Sequence, residues 1–544
     1  MLRRALPVGL LLVTLAGFVP LKLNLDYGLG EWANDADYYF TIARSVSEGE
    51  GFKSNLSLYY QGFKTLPHHV TSSPVWPAML GAIGAVFGID AVATPVPVAL
   101  YFIDLVLLYF LAQRLRRGIA PGAGWLFRGR SVVNLGHVAV LVFAGNVVFF
   151  QFSSVPNNEP LAFCLIFGGL IAVDRAARGL QPGWAFVAGL LAGLACLTRV
   201  QALALAVAVP LAFAAVALGD PRARRLGPIS IVGVLLPFVP WVLYLASWND
   251  SLTFGTALGL DTQRETPELK AFSHAFFPES WLLFLRDRLS GVGVAFDWRS
   301  PESYVSHFGA LAYVAPAALA HCGWLLARRW RPRRVEIALE HALPLATVMT
   351  GIGMLLPVHA AHMTFGYEWL FGFRHGLPLI LLIVPALAYL DAHSGRVGRL
   401  VAAGLVGLTL LSNAQGMRAL FDRELKHGLT EGEQHLIAWL DRQRPLRAVV
   451  TTEPWKYGAF SRSGYHWTLC RHPPEQTLRL LRNAGADYVV IRHKERNCNF
   501  IRDLQPDTLR RVAAFRNGVY VLGLSERFPR RSESLAKPGR ALDR

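Results

Sequence analysis

Runs of about 20 apolar residues recur along this chain, parted by short Arg-rich stretches, and a chain patterned this way folds in lipid before it folds in water. The runs lie near Ala5 to Leu23, Val92 to Ala112, Val132 to Phe152, Leu161 to Val173, Trp184 to Leu197 and Ala202 to Leu218. Others follow near Ile229 to Ala246, Phe308 to Leu326, Ala342 to Val358, Leu377 to Leu390 and Val401 to Leu411. An apolar share of 53%, a charged share of 17% and a mean hydropathy of +0.34 over 544 residues fit that reading and no ordinary soluble protein of this size. The net charge of +17 therefore speaks of topology first and not of nucleic acid, because the basic residues gather between apolar runs.

Their sidedness tests the threading. With the N-terminus inside and about eleven spans, the inner loops receive Arg3 and Arg4; Arg114, Arg116, Arg117, Arg128 and Arg130; Arg175 and Arg178; Arg222, Arg224 and Arg225; Arg328, Arg329, Arg331, Arg333 and Arg334; then Arg396 and Arg399. Counting Val75 to Phe87 as another span would invert every later cluster. That stretch is short and punctuated by Pro and Gly, so it is expected to be an interfacial or re-entrant helix. No small-x-small cleavage site follows the first run, which is read as a retained span.

This parity places residues 24–90, 248–306 and everything after about 412 outside the cytoplasm. The last segment changes character, with strand-like runs Ala448 to Thr451, Tyr488 to Ile491 and Val519 to Leu522 between helix-like stretches Glu433 to Asp441 and Glu475 to Arg482. The expected fold is thus an α-helical polytopic membrane domain over residues 1–415, a small α/β soluble domain over 416–526, and a disordered tail over 527–544. Of the five cysteines, Cys164, Cys196 and Cys322 sit in or beside apolar runs as small hydrophobes, while Cys470 and Cys498 share a polar region in which an oxidising compartment would let them pair.

The first outside loop carries Glu31, Asp35, Asp37, Tyr38 and Tyr39, then Lys53, Lys64, His68, His69 and the run Thr71-Ser72-Ser73-Pro74-Val75-Trp76-Pro77. A solvated acidic loop needs none of the later residues. The order Asp-x-x-Tyr-Tyr-x-x-x-Ala-Arg from Asp35 to Arg44, a Gly-x-Gly-Phe turn and Ser-Pro-x-Trp-Pro resembles the first-loop signature of the GT-C glycosyltransferases, closest to the protein mannosyltransferase and aminoarabinose transferase-like branch. Three later elements are similar as well: Asn157-Asn158-Glu159-Pro160-Leu161, Gly189-x-x-x-Gly193-Leu194-x-x-Leu197-Thr198-Arg199, and Arg374-His375-x-x-Pro378.

The resemblance implies transfer of a sugar from a polyprenyl-phosphate-linked donor to an acceptor hydroxyl on the extracytoplasmic side, with a first-loop acid as general base. Asp35 matches that acid by position and Asp37 is its near competitor. A hydroxyl becomes a competent nucleophile as a positioned carboxylate takes its proton. Arg199, Arg374 and Lys53 are the candidate donor-phosphate ligands, since a guanidinium fork suits phosphate oxygens. Tyr38, Tyr39, Asn158, Glu159, His68 and His69 are candidate substrate contacts. Each has a plainer role: Asn158 and Glu159 suit a helix N-terminus, and Arg199 suits the membrane interface. Asp35-x-Asp37 is compatible with a divalent cation, but a plain hydrogen-bonding pair is the preferred reading; the histidine pairs 68/69 and 359/362 lack a full ligand set, so no metal site and no cofactor is firmly implied. The expected partners are the lipid-linked donor, a glycan, lipid or protein acceptor and membrane lipids, in the inner membrane of a bacterium. A lipid-linked polysaccharide ligase or polymerase is the main alternative, with key residues expected in 248–306; a transporter or flippase would show paired interrupted spans, which the sequence lacks.

Overall fold

A computed structural model of the chain describes residues 2–25, 34–57, 68–70, 73–119, 133–247, 308, 311, 318–320, 341–365, 374–393, 395–421, 430–443, 449–451, 465–467, 487–492, 509–515 and 519–524. It falls into two compact units, Met1–Asp26 with Thr71–Leu425, and Tyr27–Val70 with Lys426–Arg544. Residues 27–70 thus group with the C-terminal segment, whereas the sequence pattern suggested one boundary near 415.

The helices in chain order are α1 (Leu2–Leu23), α2 (Asn34–Ser47), α3 (Val75–Phe87), α4 (Ile89–Val92), α5 (Pro95–Ile119), α6 (Leu135–Ala144), α7 (Val147–Phe152), α8 (Glu159–Gly179), α9 (Pro182–Thr198), α10 (Leu203–Gly219), α11 (Leu226–Leu235) and α12 (Phe238–Ala246). After the gap come α13 (Ala342–Phe365), a 3₁₀ turn over Arg374–Leu379, α14 (Ile380–His393), α15 (Arg396–Phe421) and α16 (Glu431–Arg442). All except α2 and α16 belong to the first unit.

Among the described residues seven helical stretches are long and apolar enough to cross a membrane: Leu6–Leu23, Ile89–Ile119, Glu159–Gly179, Val200–Gly219, Pro221–Ala246, Gly376–His393 and Arg396–Arg418. Four shorter apolar helices, Val75–Phe87, Leu135–Ala144, Pro182–Thr198 and Ala342–Leu356, accompany them. The outward faces are apolar, with Leu12 and Val13 of α1, Leu218 of α10, Leu243 of α12 and Leu411 of α15 all exposed. Water does not select such faces and lipid does. The chain is an integral membrane protein.

One expected span is broken and another is interrupted within a stretch still long enough to cross. The run Val132 to Phe152 forms α6 and α7 with a stop at Gly145-Asn146, where the Asn146 side chain accepts from Phe149 N at 3.1 Å and starts a new helix. The apolar pattern is blind to that cap, because Gly and Asn cost little in a window average. The run Ile229 to Ala246 divides at Pro237 into α11 and α12, since proline lacks the amide that would continue the ladder. Helix α9 packs on α8 and α11, and the α9–α11 approach is close: a Cβ on Gly189 would lie 1.9 Å from Ser230 O, and one on Gly233 would lie 2.3 Å from Phe186 O. The Gly189-x-x-x-Gly193 spacing thus serves close helix packing. An aromatic cluster fills the space between α5, α6, α7 and α8, with Phe143 and Phe149 stacked at 4.0 Å and Phe163 edge-on to both.

The second unit is α/β. Strands β1 (Lys53–Ser54) and β3 (His68–His69) pair antiparallel, with Lys53 opposite His69 and Ser54 opposite His68. Strand β2 (Leu56–Ser57) joins β4 (Val449–Thr451), β5 (Tyr465–Trp467), β6 (Tyr488–Arg492), β7 (Leu509–Phe515) and β8 (Val519–Leu524) in one sheet of order β2-β5-β4-β6-β8-β7. The first four strands run parallel, and β8 and β7 close one side antiparallel. Helix α16 starts at a capping box in which the Glu433 carboxylate accepts from Thr430 N at 2.8 Å. Tyr38 and Ile42, one turn apart on α2, enter the same core as Leu436 and Leu440 of α16 and Val449, Tyr465, Val490 and Val521 of the sheet. An i,i+4 apolar stripe must be covered, and here the C-terminal strands cover it. The expected helix over Glu475 to Arg482 and the tail after 526 lie outside the described residues.

Candidate functional site

Two groups of sequence-selected side chains come into view, one in each unit. In the second unit, Asp35 and Asp37 fall in the first turn of α2, the end of a helix that favours anionic side chains. Helical residues two positions apart are about 200° apart around the axis. The two carboxylates therefore leave the helix on different sides. Among the described residues no group of three or more His, Cys, Asp or Glu is placed to hold a metal ion.

The two acids also differ in surroundings. Asp35 is half-buried. Asp37 is fully buried, and among the described residues its carboxylate oxygens meet no hydrogen-bond partner beyond its own backbone amide. Burial pushes its proton affinity well above the usual carboxylate range, opposed in part by its own backbone amide. Such a group costs stability and is kept where chemistry needs it more often than elsewhere. One turn on from Asp37, buried Thr41 donates to Tyr38 O at 2.9 Å and lies 3.1 Å from the Ser54 hydroxyl, which ties α2 to β1.

Tyr38, Tyr39 and His68 come together, the Tyr38 ring lying 6.1 Å from that of Tyr39 and stacked on His68 at 6.5 Å. The β1–β3 register sets Lys53 opposite His69. Partial burial first, and the Lys53 charge second, hold the His69 imidazole below its ordinary value.

In the first unit, Glu159 and Arg199 form an ion pair, both buried, and the Arg199 Nε donates to Gln201 Oε1 at 2.6 Å. Asn158 stands at the N-cap position of α8, yet its side chain makes no cap bond and instead donates to Thr198 O at 2.9 Å. The start of α8 and the end of α9 are thus strapped twice, by an amide and by a charge pair. Arg199 is not at the water interface as a snorkelling side chain would be; it turns inward to a carboxylate. The structure thereby joins two residues, Glu159 and Arg199, that the sequence offered for separate tasks.

Sequence reasoning gave Gln201 and Lys22 no place and quoted Trp76 only within a motif. Gln201 accepts from Arg199, Trp76 donates from Nε1 to Pro156 O at 2.9 Å, and Lys22 is buried at the end of α1. Lys22 resembles any lysine flanking a span, and only its partners reveal otherwise. Arg374 opens the 3₁₀ turn Arg374–Leu379, but its side chain lies outside the described residues. So do those of His359 and His362, and residues Glu31, Lys64, Asp261, Gln263, Arg264, Glu265, Tyr367, Glu368, Trp369, Cys322, Cys470 and Cys498.

No protein-family model matches the sequence, and no curated protein sequence does. Solved structures do match. The oligosaccharyltransferase of Archaeoglobus fulgidus, in its apo crystal form, aligns over 89% of this chain and 69% of its own with 14% identity and a TM-score of 0.54. A second crystal structure of that enzyme, a complex with zinc and sulfate, aligns over 89% and 67% with 11% identity and a TM-score of 0.54. At such identities the likeness is one of fold. The chain is a polytopic membrane protein with the fold of an archaeal oligosaccharyltransferase.

Proposed function

We propose that this protein is a membrane glycosyltransferase that moves a sugar from a polyprenyl-phosphate-linked donor to an acceptor hydroxyl outside the cytoplasm. The observation that carries the reading is α2. Its first turn holds the two acids of the motif, one half-buried and one fully buried, in a chain that shares its fold with an archaeal oligosaccharyltransferase.

The chemistry follows from a weak nucleophile and a good leaving group. As the acceptor oxygen attacks the anomeric carbon, its proton passes to a carboxylate, the bond from that carbon to the phosphate oxygen breaks, and polyprenyl phosphate departs with the electron pair. Asp35 takes the base role by motif position and by access to solvent. Asp37 is the second candidate, because a raised proton affinity and unused oxygens are what a base requires. Arg199, Arg374 and Lys53 serve the donor phosphate, and Tyr38, Tyr39, His68, His69, Asn158 and Glu159 serve the bound substrates. No step is routed through a metal ion.

The reading includes an eleven-span topology with the N-terminus in the cytoplasm of a bacterium and the α/β unit outside its inner membrane. The test is transfer in vesicles supplied with polyprenyl-phosphate sugars from the native membrane. Asp35→Asn is expected to lower the rate by about 10²–10⁴-fold. Wild-type rates in both Asp35→Asn and Asp37→Asn would remove the assignment. Alanine substitutions confined to 248–306 that abolish activity, with α2 variants intact, would favour the ligase or polymerase alternative. The donor is named by the polyprenyl-phosphate sugar that accumulates in a deletion strain.

A further inference from the structure

Lys22 is a buried charge that the proposed chemistry does not use. It is 3% exposed, at the end of α1 in the first unit. Its Nζ donates to Phe150 O at 2.5 Å, Ser153 Oγ at 2.7 Å and Ser154 Oγ at 2.8 Å. Ser153 spends its own hydrogen on Phe149 O at 2.5 Å and Ser154 on Phe150 O at 3.0 Å, so both hydroxyls can only accept from the lysine. Three acceptors around one nitrogen require three N–H donors, which is an ammonium ion. The rings of Tyr101 and Phe150 lie with centroids 4.2 Å from Nζ and take up the rest of its surroundings.

Among the described residues Lys22 forms no ion pair. A methionine would fill nearly the same volume without the desolvation cost of a buried charge. Stability alone therefore gives no reason for a lysine. What the ammonium does hold is the last turn of α7, the end of a helix where carbonyl oxygens favour a cation. Pro156, bonded to Trp76 Nε1, follows at once, and then Asn157, Asn158 and Glu159. The turn that delivers Glu159 to Arg199 is thus fixed upstream by Lys22.

We propose that Lys22 is a positioning residue whose ammonium clamps the end of α7 and so sets the Asn157-Asn158-Glu159 turn against Arg199. Its value to catalysis rests on the glycosyl-transfer reading; the clamp itself does not. The amides of Ser153, Ser154 and Asn157 bond to Phe149 O, Gln151 O and Val155 O and exchange slowly while the clamp holds. Hydrogen exchange of the full chain in lipid nanodiscs measures this directly. Lys22→Met should speed exchange across residues 153–158 about tenfold or more and leave α9 unchanged, because opening is local. Lys22→Arg, which keeps the cation, should recover most of the protection. Should Lys22→Met fail to fold, Ser153→Ala with Ser154→Ala removes two of the acceptors and is expected to give the same local loss. Unchanged exchange at 153–158, or an equal rise in α9, overturns the proposal. In the transfer assay Lys22→Met should raise KM for the donor lipid more than it lowers kcat, because the loosened turn no longer holds Glu159 on the Arg199 that serves the donor phosphate, and Lys22→Arg should restore it. Lost protection in a protein without any transferase activity would sink the transfer reading and keep the clamp, whereas intact protection would sink the clamp alone.

Discussion

Replacing Arg199 by methionine separates what this residue does for the fold from what it does for a substrate. The Glu159 side chain is 1% exposed and that of Arg199 10%. Removing the guanidinium leaves a carboxylate in a nearly dry site with its counter-charge gone, a change that costs about 3–5 kcal/mol. Glu159→Gln is milder, about 1.5–3 kcal/mol, the range of a hydrogen bond to a charged group, since Gln201 still accepts from Arg199 Nε. Changing both residues to methionine removes both charges along with their desolvation, and the strap from Asn158 to Thr198 O remains. The double variant should then fall within about 1 kcal/mol of the wild type, far below the summed cost of the single changes, so the double-mutant cycle should show coupling of at least about 3 kcal/mol. Unfolding in mixed micelles at rising detergent denaturant gives the stabilities, and equilibrium binding of polyprenyl phosphate gives the second axis. If Arg199 also holds the donor phosphate, the double variant is stable yet binds at least about tenfold more weakly, as loss of one charge-assisted contact requires. Additive stabilities would refute the buried-pair argument, and wild-type binding by the stable double variant would refute the phosphate role.

Gly189→Ala should destabilise by more than about 1–3 kcal/mol, because its Cβ meets a backbone oxygen 1.9 Å away; Gly404→Ala in α15, where nothing lies within 4 Å, should be neutral or gain a few tenths, as thermal unfolding would show. Asp37 has its proton affinity raised by burial, so the folded state binds its proton more tightly than the unfolded chain. The stability this contributes is fully present below the ordinary carboxylate value and is lost as pH rises through the raised one; Asp37→Asn should flatten that slope and be at least as stable at pH above it. Lys53→Gln should raise the His69 titration midpoint without restoring the ordinary value, since burial is the larger cause and persists; imidazole NMR reads it, and an unmoved midpoint would remove Lys53 from the account.

Several elements were plain in the sequence for one reason: their signal is local. Apolar length placed α9 and α10 closely, whereas α5, α8 and α15 run on past the apolar stretch into Arg-bearing sequence that a hydropathy reading stops at. Helix α16 and the short apolar strands β4, β6 and β8 were likewise readable from near neighbours. Strands β2 and β5, two and three residues long, carry no periodicity of their own and exist because the sheet pairs them. The break at Gly145-Asn146 was hidden for a related reason, since a cap is one side chain within an apolar window.

The candidate site divides along the same line. Residue types and spacing in the sequence picked out Asp35, Asp37, the Tyr pair, Glu159 and Arg199, because chemistry-bearing groups are scarce in an apolar chain and so stand out. Which side chains are buried, and with whom, is decided by contacts between residues far apart in the chain. That is how Asp37 came to be the buried carboxylate with unused oxygens, how Arg199 was joined to Glu159, and how Lys22 was turned from a flanking lysine into a clamp 128 residues from its carbonyl partner. Apolar patterning in the sequence determines the solvent and the topology of this protein; the energetics of its polar groups depend on desolvation and partner geometry, which exist only once the tertiary structure has formed.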